Sequence, residues 1–110
     1  MIEGLNNLSK TIHELTRSKG FWDKPRDPLS VLMLIVTEVA EAGEDYRDGL
    51  ELNEIRYKPS GKPIGIPTEM ADIIIRVLDA CAAWDIDIEK AIQEKFEYNK
   101  IRPTLHGREH

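Results

Sequence analysis

Glu38, Glu41 and Asp45 stand at steps of three and four and continue the spacing of Val31 and Leu34. Those steps keep side chains on one stripe of an α-helix. The stripe therefore begins apolar and turns acidic. If Val31 and Leu34 face packed helices, Glu38 and Glu41 extend toward the same interior, with side chains starting about 5–6 Å apart. A second stripe, Glu69, Asp72, Arg76 and Asp79, runs along a segment that is otherwise apolar. If the two stripes face each other, Glu38, Glu41, Glu69 and Asp72 form a carboxylate site whose members repel unless a cation neutralises them. All-oxygen donors favour Mg²⁺ or Mn²⁺ over zinc.

A third stripe has the opposite sign. Ile88, Ala91 and Ile92 are followed on the same face by Lys95, Asn99 and Arg102. Basic groups beside a metal-bearing acidic site suit phosphoryl chemistry, because both neutralise phosphate oxygens in the transition state. The expected ligand is a polyphosphate. Each stripe also has an ordinary explanation: a solvated glutamate face, an Asp72–Arg76 pair within one helix, or Lys95 and Arg102 complementing a helix dipole.

Other chemistries lack their residues. There is no G-x-x-x-x-G-K-[ST] phosphate loop, no H-E-x-x-H and no Cys/His cluster. His13, His106 and His110 are scattered and read as surface groups, and Ser9, Ser18, Ser30 and Ser60 have no nucleophile context. Cys81, alone among Leu78, Ala80 and Ala82, reads as a small core residue. A net charge of −5 disfavours broad contact with nucleic acid. With neither a secretory signal pattern nor an apolar run near the roughly 20 residues of a membrane span, the expected location is the cytoplasm.

The elements that must position these stripes follow from periodicity. Leu5, Leu8, Ile12 and Leu15 predict a helix over about 2–19, ending at Gly20. The loop after it carries an exposed-looking Trp22 and closes with Asp27-Pro28, an N-cap followed by proline at the first helical position. The second helix is predicted over 28–48, stopping at Gly49; its stretch Val31–Val36 is apolar on every side and so expected to be buried all round. Residues 50–66 gather Pro59, Gly61, Pro63 and Gly65 and read as a loop with a short hairpin around Ser60-Gly61. Helices over 67–84 and 88–100 complete the chain, the last capped by Asp87 and ended by Pro103. The expectation is a single domain, residues 1–110, of all-α class with four helices.

Glu38-x-x-Glu41, 27 residues, then Glu69-x-x-Asp72 resembles the E-x-x-E…E-x-x-D signature of the MazG-like all-α nucleoside triphosphate pyrophosphohydrolases. TEVAEAGEDYRDG, GKPIGIPTEMADIIIRVLD and EKFEYNKIRPTLHG are similar to that family's helices 2, 3 and 4, so the resemblance covers roughly residues 28 to 108. It implies a four-helix bundle with Glu38, Glu41, Glu69 and Asp72 as Mg²⁺ ligands and Lys95, Asn99 and Arg102 meeting phosphate or sugar. It also implies hydrolysis of a nucleoside triphosphate to monophosphate and pyrophosphate by metal-activated water, with Glu38 or Glu41 taking the proton. The family's dimers or dimers of dimers imply a homodimer or tetramer, matching the thin core of so small a bundle. Trp22 is a candidate either to stack on the base or to anchor its loop to the core. Asp45 and Asp79 are candidate outer residues. The segment 50–66 departs from the compact members of the family. The competing expectation is a non-catalytic helical module that binds nucleotide or drives oligomerisation.

Overall fold

The computed structural model describes residues 2–103; His106 and His110 lie outside them. Four helices carry the fold: α1 (Leu5–Ser18), α2 (Pro28–Arg47), α3 (Ile66–Ala83) and α4 (Ile88–Ile101). Each begins and ends within about three residues of the span that periodicity predicts. Two of the starts rest on the predicted caps. Asp27 accepts the backbone N–H of Ser30 at 3.3 Å ahead of Pro28, and Asp87 accepts that of Lys90 at 3.0 Å. The chain is therefore all-α apart from a small ribbon between α2 and α3. In that ribbon β1 (Arg56–Tyr57) pairs antiparallel with β2 (Pro63–Ile64).

Helix α3 is central, packed between α1 and α2. Leu78, Ala80 and Cys81 of α3 are buried with Val31 of α2 and Leu50, so Cys81 is the core residue its neighbours suggest. Ser9 of α1, also buried, donates its hydroxyl to the Leu78 carbonyl. Helix α4 turns away from this layer. Asp85 takes a positive φ of 56°, and Asn6 of α1 then holds the new helix start: its side chain bonds Asp87 Oδ1 and the N–H of Ile88, while its own N–H donates to Glu89. The main neighbour of α4 is accordingly α1.

Two expectations are corrected. The Val31–Val36 stretch is not buried all round: Val31 is, but Leu32, Met33 and Val36 are about half exposed, at 46%, 52% and 53%. Leu29 and Val39 extend the same open surface, and α3 adds Met70 and Ile74. Among the described residues α3 is the main element laid against α2, and a helix apolar on several sides needs more than one neighbour. Trp22 is half-buried, not exposed, because its indole reaches a buried acid on α3. Among the described residues no helix is long and apolar enough to cross a membrane.

Candidate metal centre

The packing of α2 on α3 brings the two acidic stripes together. Glu38, Glu41 and Glu69 each offer a carboxylate oxygen within 4.8 Å of the others. For comparison, opposite ligands of an octahedral Mg²⁺ stand about 4.2 Å apart, twice its metal–oxygen distance. Glu38 is buried, Glu41 opens to solvent and Glu69 lies between, in the first turn of α3. Asp72, one turn further along α3, borders this trio without belonging to it.

The site carries more negative charge than it neutralises. The carboxyl of Glu69 is pushed up to about 7, first by burial, then by Glu41, then by the charges of Glu38 and Asp72. Asp72 is raised as well, by partial desolvation and the charge of Glu38, against the opposing pull of Arg76. Arg76 Nε donates at 2.8 Å to Glu38 Oε1 across the helix interface, so the ion pair it forms is not the in-helix one with Asp72 that would have explained the α3 stripe as an ordinary surface. An all-oxygen, under-neutralised cluster of this kind fits a hard divalent cation.

Beyond the carboxylates the site is bounded by the ribbon. A cleft of about 230 Å³ is lined by Glu41, Glu44 and Asp45 of α2, Glu69 of α3, and Lys58, Lys62 and Ile64 of the ribbon. Asp45 is thus beside the carboxylates, as its stripe suggests. Sequence reasoning missed the two lysines. Their sole signal is that they flank the Pro59-Ser60-Gly61 turn, and only the register of the ribbon turns them toward the cleft.

The remaining expected residues lie elsewhere. Lys95 and Asn99 are exposed on α4, with the Lys95 ammonium 5.2 Å from the Tyr98 ring centroid; Arg102 caps the helix, its N–H bonded to the Tyr98 carbonyl at 3.1 Å. Asn6 ties α4 to α1, and among the described residues α1 is the main neighbour of α4; Lys95 and Asn99 are not among the residues lining the carboxylate cleft. Asp79 faces α1 and the loop: it is buried and accepts His13 Nδ1–H at 2.7 Å, the Thr16 hydroxyl at 2.7 Å and Trp22 Nε1–H at 3.1 Å. His13, expected at the surface, is therefore a half-buried partner of Asp79. The Trp22 ring also meets His13 and Phe21 edge to face, with centroids 5.5 and 5.0 Å apart. Phe21 in turn packs under Arg26 at 3.6 Å, with Arg76 at 6.0 Å. The loop is thereby linked to the Arg76–Glu38 pair.

No family model, curated protein or solved structure matches the chain.

Proposed function

We propose that this chain is a Mg²⁺-dependent nucleoside triphosphate pyrophosphohydrolase of the MazG-like kind. The observation that carries this reading is the convergence of Glu38, Glu41 and Glu69 from two helices into one under-neutralised oxygen cluster. The spacing of E-x-x-E and E-x-x-D supports it independently. Glu38, Glu41 and Glu69 would hold Mg²⁺ or Mn²⁺, with Asp72 at the margin. Such a cation supplies charge screening for phosphate oxygens and acidifies water.

The chain's own groups divide the remaining work. Glu38 is held by Arg76 in a buried position, which suits a fixed ligand. Glu41 opens onto the cleft and is the better placed of the two to accept the proton of the attacking water. Attack at the α-phosphorus breaks the bond to the β-phosphate oxygen and gives nucleoside monophosphate and pyrophosphate. Lys95, Asn99 and Arg102 join this reading through a second copy that brings its α4 to the carboxylates, and the open apolar surface of α2 and α3 is where copies would meet. The cytoplasm, where nucleoside triphosphates are plentiful, is the compartment this activity implies.

Incubation with ribo- and deoxyribonucleoside triphosphates and Mg²⁺, followed by separation of products, tests the proposal. Pyrophosphate and monophosphate are expected from at least one nucleotide. Release of orthophosphate, or no turnover across the panel, would overturn it.

A further inference from the structure

The ribbon between α2 and α3 bounds the carboxylate site, yet its lysines have no part in holding a cation. Its register pairs Arg56 with Ile64 and Tyr57 with Pro63, so Lys58 stands opposite Lys62, and the Lys58 N–H donates to the Lys62 carbonyl at 2.9 Å. The turn closes through the Gly61 N–H on the Lys58 carbonyl at 2.8 Å, with Gly61 at φ 92°. Carried past the paired strands, this register sets Arg56, Lys58, Lys62 and Ile64 toward one face of the hairpin. Of these, Lys58, Lys62 and Ile64 line the cleft with Glu41 and Glu69, while Arg56 pairs with Glu54.

Like charges set directly opposite each other across two strands are unfavourable. Among the described residues neither lysine closes an ion pair, although Glu41, Glu44, Asp45 and Glu69 line the same cleft, so both ammonium groups keep their donors for a ligand. The ribbon is also braced in place. Gly65, at φ 131°, lies so close to the Glu54 carbonyl that a side chain there would collide with it, and Glu54 itself pairs with Arg56 and accepts the N–H of Glu51 at 2.9 Å. Two lysines on opposite arms of one hairpin, lining a cleft that also holds the carboxylates, suit an extended anion bearing several oxygens and bridged to the acids by a cation.

We propose that Lys58 and Lys62 clamp the β- and γ-phosphates of the substrate, the part released as pyrophosphate. This rests on the pyrophosphohydrolase reading and assigns the ribbon a role in it. The clamp lies in the same chain as the carboxylates, so it works without any contribution from a second copy's α4.

Calorimetry separates the two ideas. Mg²⁺ alone, and then inorganic pyrophosphate in excess Mg²⁺, are titrated into the wild type, Lys58→Ala/Lys62→Ala and Lys58→Arg/Lys62→Arg. Mg²⁺ alone should bind the alanine variant no more weakly than the wild type. Pyrophosphate should bind that variant at least about tenfold more weakly, the loss expected of one or two charge-assisted contacts. The arginine variant should recover most of the affinity, and circular dichroism should match across all three. Pyrophosphate affinity within twofold of wild type in the alanine variant overturns the clamp and leaves the metal site standing. So does a wild type that binds Mg²⁺ and not pyrophosphate. A wild type that fails to bind Mg²⁺ overturns the pyrophosphohydrolase reading and the clamp with it.

Discussion

Arg76 Nε donates to Glu38 Oε1 at 2.8 Å, so the most buried carboxylate of the cluster is the one that carries its own counter-charge. Breaking that pair strands a buried charge beside Glu41 and Glu69. Arg76→Ala should therefore lower the stability of the metal-free protein by about 1–3 kcal/mol, less than for a fully buried pair because Arg76 is partly exposed. Saturating Mg²⁺ should narrow the gap. Arg76→Lys should recover only part of the loss, a point charge replacing a planar fork. Thermal unfolding with and without Mg²⁺ reads this, and equal midpoints for wild type and Arg76→Ala in the absence of metal would contradict it.

Glu69 gives the cluster a pH signature. Its folded value of about 7 lies above the ordinary 4.5, so the native state keeps a proton that the unfolded state has already released. Its contribution is fully present below about pH 4.5 and is lost as pH rises toward 7, by up to about 3 kcal/mol. Urea unfolding of the metal-free wild type and Glu69→Gln from pH 5 to 8 isolates the effect. The variant should gain on the wild type as pH rises, and a difference that is flat with pH would refute the assignment.

Asp79 organises the far side of α3. Asp79→Ala leaves His13, Thr16 and Trp22 without their shared acceptor, at a cost of about 2–4 kcal/mol. In a Trp84→Phe background, which leaves Trp22 as the fluorophore, emission should shift to the red as the loop loosens. Unchanged emission and stability would show that Asp79 does not anchor this loop.

The helix spans were readable because apolar spacing and the caps at Asp27 and Asp87 are local signals. The meeting of Glu38 and Glu41 with Glu69 was readable too, since both acidic stripes continue apolar ones that have to pack. What the sequence concealed depends on contacts between distant residues. His13 looked solitary because its partner lies 66 positions away. Asp72, four residues before Arg76, is the partner that spacing along α3 suggests, whereas Glu38 is offered by the packing of α2. The two-residue strands are too short to show an alternation, so the placing of Lys58 and Lys62 at the cleft has no local signal. Periodicity also indicates that an apolar face needs a partner without saying which chain supplies it, and this is why Leu32, Met33 and Val36 lie open.

That open face carries its own expectation. Val36 and Ile74 are 53% and 54% exposed on the two helices that hold the carboxylates. A buried, unpaired glutamate in an interface costs several kcal/mol, so Val36→Glu or Ile74→Glu should dissociate the assembly. Sedimentation should find an oligomer for the wild type and monomers for the variants. A monomeric wild type would rule out the proposed assembly.

Attack at the α-phosphorus is what separates a pyrophosphohydrolase from a phosphatase. Hydrolysis of an accepted nucleoside triphosphate in ¹⁸O-labelled water, followed by mass spectrometry of the products, measures this directly. The label should appear in the nucleoside monophosphate and not in the pyrophosphate. Label in pyrophosphate or in orthophosphate would contradict attack at the α-phosphorus.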